Sequence, residues 1–364
     1  MASLSRACEP VASILSFMQR LSLLAFAALG VLAVTGCAGA EEDVDDSSSE
    51  EALTQRAAAV DVAVPGFPFT EALSGASLSQ RTLKAYPCGD RRAHPGPERV
   101  YQVDVVEDGL LAVEGPAGLD VYVARNMNFS DCVRGGAAQA AVWLTRGRYY
   151  VSVDARVLAP RVSASIKMGL TTARALEENG MSPDVARRGL QAFSVAYGKG
   201  DTKKLTYAMT DFGLPSNQKR EWVLDLRTSE VLWNLYVAHG EKTSAPNDKN
   251  RALSFSNVSG SHQSSLGMMR SGPTYEGDFG YSYRLDGLEP GYNDKVRART
   301  TVVHPWFGST DRAVQMNRHV APTWGCPAVD QNLPRSFFDA MSQGVLHWYA
   351  FDDGDWSENT RYKL

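Results

Sequence analysis

His304 and Cys326 are the two residues of this sequence best suited to do chemistry together. Cys326 lies in Thr323-Trp324-Gly325-Cys326-Pro327-Ala328. A thiol is a strong nucleophile only as thiolate, so it needs a neighbouring base or a positive field. Gly325 allows close approach of the backbone and an unusual φ, and the amides around that turn would serve as oxyanion donors. His304 closes the β-prone run 300–303, and an imidazole at a strand end beside a loop suits a general base. The two make a candidate Cys–His pair for acyl transfer. Zinc chemistry through His239, His304, His319 or Cys326 would need ligands at close spacing, yet no H-x-x-x-H or C-x-x-C pair occurs. No metal or organic cofactor is expected.

The remaining cysteines say where such a thiol would work. Leu21 begins an uncharged, largely apolar run of 16 residues that follows Arg20 and ends at Gly36. That is short for a membrane span, but its basic flank and small-residue end fit an export signal. Met18 would serve equally well as its start. Val34-Thr35-Gly36-Cys37 resembles the lipobox of bacterial lipoproteins, which implies a lipid on Cys37 and an address on the periplasmic side of the cell envelope. In an oxidising compartment Cys88 and Cys132 are a natural disulfide, worth about 4 kcal/mol in the chain-entropy model. Cys8 belongs to the presequence, so Cys326 is left without a partner, as a working thiol must be.

The elements that must position these residues divide the chain at its changes of composition. After residues 1–37 comes an acidic, Ser-rich tether, 38–60, with no periodicity. The net charge is −4. Setting aside the seven carboxylates of 41–51 and the single net positive charge of 1–36 leaves +2 for 52–364, too little to suggest nucleic-acid binding. Residues 62–168 read as a small β-sandwich: short Val- and Tyr-rich segments at 99–106, 110–113, 119–124, 140–144 and 149–153 are separated by Gly, Pro, Asp or Asn. No nucleophile–base pairing occurs there, so it is expected to be a spacer or binding module that folds alone. Ser182-Pro183-Asp184 opens a helix to about Tyr197. Strands are expected at 204–210, 221–226, 231–237 and 345–351, a helix at 333–341, and long loops over the Gly-, Ser-, Asn- and Asp-rich stretch 240–295. The fold class is therefore mostly β, a sandwich followed over 172–364 by a second mainly β domain with a few helices.

Two resemblances sharpen this outline. GPERVYQVDV, GLDVYV and RGRYYVSVD resemble the β-sandwich domains of pre-peptidase C-terminal type. More specifically, LPSNQKREWVLDL (214–226), VAHG (237–240), SFSNVSGSHQSSLG (254–267), YEGDFGYSYRLDGLEPGYND (275–294), TTVVH (300–304) and TWGCPA (323–328) together resemble the murein L,D-transpeptidase catalytic (YkuD-like) family in a long-loop variant. That resemblance implies a cysteine acyltransferase acting on peptidoglycan stem peptides, with Cys326 as nucleophile and His304 as its activating partner. Gly325 matches the glycine of the family's S-x-G-C motif, and Thr323 stands where its serine would. His239, Ser264, Ser265, Gly267 and Asp286 fall at motif positions; His239, Ser265 and Asp286, with Trp324, become candidates for lining the substrate site, although Ser and Asp in so loop-rich a stretch more often satisfy backbone groups. Two departures stand out: Pro322-Thr323 where relatives tend to have Arg-Ser, which would remove a contact to a substrate carboxylate, and Pro305 after the histidine. Arg318 is the nearest replacement cation in sequence, and Pro305 keeps the carbonyl needed to orient an imidazole. The competing reading is a non-catalytic peptidoglycan-binding lipoprotein that has kept the fold.

Overall fold

The structure is a computed structural model and describes residues 56–89 and 93–364. The expected signal, the lipobox with Cys37 and most of the tether lie outside the described residues. Within them the protein is mostly β, with five α-helices.

Alternating apolar side chains build the first layer pair. A five-stranded sheet has the order Val62–Ala63, Glu98–Val105, Gly147–Ala155, Leu119–Ala124, Cys132–Ala137. A four-stranded sheet has the order Phe69–Ser74, Ser163–Thr172, Gly109–Glu114, Gln139–Leu144. Tyr101, Val103 and Val105 of the first meet Leu111, Val113, Ile166 and Met168 of the second in one buried cluster, as the period of two demands when two sheets share a core. The far side of the larger sheet is covered as well: Val100, Tyr122 and Ala124 pack with Leu83, Tyr86 and Phe129. Cys88 and Cys132 are disulfide-bonded beside this second cluster.

The Pro183–Lys199 helix starts at its proline and runs two residues past the expected end, where Gly200 closes it at φ +79°. The Ser182 hydroxyl does not cap it; it donates instead to the Asp211 carboxylate. Phe193, Leu190 and Ala196 are buried on a face shared by both halves of the molecule. The helix packs on the Gly109–Glu114 and Gln139–Leu144 strands of the sandwich and on the Thr206–Asp211 and Leu346–Ala350 strands of the next sheet. The approach is close, since a Cβ on Gly189 would come within 2.1 Å of the Met209 side chain.

That next sheet carries the second domain. Its eight strands run Glu230–Leu235, Glu221–Asp225, Thr206–Asp211, Leu346–Ala350, Gly267–Gly277, Gly280–Gly287, Val302–Trp306, Ala328–Asp330. The expected strands lie within about two residues of these bounds, and the 333–341 helix is Arg335–Met341. The stretch 240–295 departs from expectation. Instead of loops throughout, it contains the hairpin Gly267–Gly277 and Gly280–Gly287, whose first strand, 11 residues long, is the longest among the described strands. Asp278 and Phe279 form its two-residue turn, and a register shift between Ser271 and Thr274 interrupts the alternation. Glycines and the bulge hide the period from the sequence.

Candidate active site

The Val302–Trp306 strand pairs in parallel with Ala328–Asp330, with His304 opposite Ala328. Cys326 lies just before the second of these strands, and Val302 and His304, two apart on the first, share one face. The Cys326 thiol reaches the Thr300 carbonyl at 3.9 Å and lies against the Val302 backbone N–H. Cys326 and His304 open on one cleft of about 900 Å³, walled also by Tyr275, Phe279, Arg284 and Arg299.

Each partner of the pair is held in place. His304 Nδ1 lies 2.9 Å from the Pro305 carbonyl oxygen. A carbonyl only accepts, so Nδ1 carries the proton and Nε2 keeps its lone pair for the cleft. Phe279 stacks on the imidazole at 4.5 Å between centroids. Burial pushes the His304 pKa down, the bond to Pro305 working the other way. Burial likewise pushes the Cys326 thiol up, offset by the Val302 amide and by the Arg299 guanidinium. The resting pair is therefore a neutral thiol beside a neutral imidazole.

Arg299 supplies the positive field and is fixed rigidly. Its guanidinium donates to the carbonyls of Ser256 (2.6 Å) and Gln263 (2.6 Å) and to the hydroxyls of Ser265 (2.6 Å) and Ser261 (3.3 Å). With those donors spent, it acts on the cleft through charge more than through direct contact.

The turn before the thiol is equally determined. Gly325 takes φ +115°, and a Cβ there would stand 2.6 Å from the Gln263 carbonyl oxygen. The Thr323 hydroxyl accepts the Gly325 N–H at 3.1 Å and donates to the Cys326 carbonyl at 2.7 Å. The Gly325 amide is thus occupied inside the turn, unlike the free oxyanion donor that the sequence suggested. Ser264, linking the Gly240 N–H (3.0 Å) to the Gly325 carbonyl (3.3 Å), ties this turn to the neighbouring loop.

A thiol, an oriented imidazole and a fixed cation thus share one cleft wall. Residues 177–349 match the family described as L,D-transpeptidase catalytic domain. The matched span contains both His304 and Cys326. A domain of this family points to transpeptidase-type chemistry on peptidoglycan. Among solved structures, the pre-peptidase C-terminal domain of a collagenase from Bacillus anthracis is similar at 14% identity, covering 32% of this chain and 100% of that one, with a TM-score of 0.21. No curated protein shows a significant match.

The matched region gathers only some of the residues singled out by sequence. Cys326, His304, Thr323 and Trp324 line the cleft. Trp324 is 73% exposed and stacks at 4.9 Å on His262, leaving its outer face free at the rim. His239 is not on the wall: it is buried, takes an N–H from Arg220 at Nδ1 (2.6 Å) and meets the Ser244 hydroxyl at Nε2 (3.0 Å). Burial and the adjacent guanidinium lower its pKa to about 3, which keeps it neutral. Ser265 holds Arg299, and Asp286 pairs with Arg297 at 2.7 and 2.8 Å, so neither contacts the cleft directly. Arg318 is exposed at the end of the Asp311–Asn317 helix and is no part of the lining. Sequence reasoning missed Arg284, Arg299 and Tyr275. The only signal for Arg299 was a cation five residues before His304, and its meaning depends on loops that are distant in sequence.

Proposed function

We propose that this protein is a cysteine acyltransferase of peptidoglycan in which Cys326 carries the acyl group and His304 moves the protons. The observation that supports it best is the shared cleft wall, which both Cys326 and His304 line, with His304 Nδ1 committed to the Pro305 carbonyl so that Nε2 is the nitrogen left to act as base. His304 Nε2 takes the Cys326 proton as sulfur attacks the carbonyl that links an L-centre to a D-residue in a stem peptide. The tetrahedral intermediate collapses, the C–N bond breaks, and His304 returns the proton to the departing amine. A thioester remains. An acceptor amine from a neighbouring stem attacks it, gives its proton to His304, and releases the thiolate, which recovers that proton. Water in place of the amine makes the same site an L,D-carboxypeptidase or endopeptidase. Arg299 stabilises the transient thiolate through a field that needs no reorganisation.

The reading includes export and a lipid anchor on Cys37, which would hold the cleft on the periplasmic side within reach of the wall. Metabolic labelling with a palmitate analogue tests it: label that persists in Cys37→Ala would remove the anchor from the proposal.

Intact-mass spectrometry after incubation with a tetrapeptide stem or a carbapenem tests the chemistry. A covalent adduct is expected on the wild-type chain and absent from Cys326→Ala, with His304→Ala slowed about 100-fold or more. Folded protein with a titratable thiol and no adduct from either reagent would instead favour a peptidoglycan-binding lipoprotein.

A further inference from the structure

The cleft holds a second cation, Arg284, whose situation is the opposite of that of Arg299. Arg284 lies on the Gly280–Gly287 strand directly opposite Val302. The Cys326 thiol lies against the Val302 backbone N–H, so it and Arg284 both neighbour Val302. Residues paired across strands project to the same face, so Arg284 shares the face of Val302 and His304, and all of them line the cleft with Cys326. Tyr275, opposite Ser282 and therefore on that face too, lies under the guanidinium, 4.4 Å from ring centroid to Cζ. Among the described residues the Arg284 side chain makes no hydrogen bond and no ion pair. Its neighbours are engaged: Arg297 with Asp286, Arg335 with Glu276, Arg299 with four oxygens. Asp278, at the hairpin turn, is the one other acid on the wall besides Glu276.

We propose that Arg284, propped on Tyr275, binds the free terminal carboxylate of the D-residue that leaves the donor stem. The inference rests on the acyl-transfer reading above and narrows its substrate. A half-buried guanidinium without an anion, five donors intact, is an open fork for a carboxylate. Arg284 and Cys326 line the same cleft, so a donor stem lying across it can offer its attacked carbonyl to the thiol and its terminal carboxylate to the guanidinium. A donor that ends in a free acid is thereby selected over an internal L,D-link, which favours transpeptidase and carboxypeptidase action over endopeptidase action.

The test is acylation of the full chain by a tetrapeptide stem and by the same peptide with its terminal carboxylate amidated, in wild type, Arg284→Gln and Arg284→Lys. Wild type is expected to prefer the acid by roughly 10- to 100-fold, the loss typical of one charged hydrogen-bonded partner. Arg284→Gln should lose that preference by a rise in KM for the acid, with the amide little changed. Arg284→Lys should keep part of it, having the charge but not the fork. Alkylation of Cys326 by iodoacetamide, which is neutral and small, should proceed at the same rate in all three and reports an intact fold and nucleophile. Equal use of acid and amide by wild type, or equal losses on both in Arg284→Gln, overturns the assignment while leaving the acyl-transfer reading standing. Wild type that is alkylated yet acylated by neither peptide brings down that reading and the assignment with it.

Discussion

At the scale of single residues, the pair reads as two neutral groups brought together by folding, with opposite consequences for acid and alkaline pH. The His304 pKa is lowered by burial, so the imidazole stays a base down to pH values below the ordinary histidine value of about 6.5. The Cys326 pKa is raised by burial, so free thiolate accumulates only above the ordinary thiol range. Acylation by a stem peptide should therefore fall on an acid limb that lies below pH ~6.5 and stay flat through neutrality. Ultraviolet absorbance of the thiolate should appear only on the alkaline side and vanish in Cys326→Ala. A thiolate signal already present at pH 7 would mean a resting ion pair and would sink this account. Cys326 and His304 were legible in the sequence because an unpaired thiol after an export-like leader is conspicuous, and because a strand-end histidine, by itself most often structural, gains a role once such a thiol follows it. Arg284 was not, because an arginine in an alternating strand looks like any solvated cation until its missing partner is seen.

Between residue and molecule, the elements that matter most are the turn before Cys326 and the loops that brace it. Gly325 is fixed twice, by φ +115° and by the Gln263 carbonyl at 2.6 Å from any added Cβ. The same Gln263 carbonyl accepts from Arg299, so a shift of that loop moves both the turn and the field on the thiol. Gly325→Ala should cost about 1–3 kcal/mol in backbone strain, leave a folded protein, and lower the rate of thioester formation at least tenfold. Circular dichroism alongside single-turnover acylation measures both; a variant that acylates at the wild-type rate would show that the turn tolerates a side chain. Element types were largely legible here. The Pro183–Lys199 helix and the strands rich in β-branched and aromatic residues announce themselves through caps and alternation. The hairpin from Gly267 to Gly287 did not, since its glycines and its bulge at Gly272-Pro273 erase the period. The sequence therefore located the thiol but not the opposite wall of the cleft.

At the scale of the whole molecule, the change of composition near residue 170 marks a change of layer more than a break between independent bodies. Leu110, Ala112 and Ala141 of the sandwich belong to the same buried cluster as Phe193, Tyr207 and Trp348. The Ser194 hydroxyl accepts the Trp143 N–H at 2.9 Å, and Arg227 reaches Glu114 at 3.5 Å across the same seam. An excised sandwich would expose the apolar side that the helix covers, so the sequence-based expectation that it folds alone gives way to coupled unfolding as the better proposal. Calorimetry should show one main transition for the two layers, and Phe193→Ala, at a fully buried site on the shared helix, should cost about 3–5 kcal/mol and move the whole transition down. Reduction of the Cys88–Cys132 disulfide, whose cysteines are 44 residues apart and whose Cys88 lines one pocket with Tyr197 and Gly198 of the helix, should lower that same transition, by about 4 kcal/mol in the chain-entropy model. If instead Phe193→Ala shifts one peak and reductant another, the sandwich is a separate folding unit. The helix would then be merely lodged against it, and the cleft could be supported by the second domain alone.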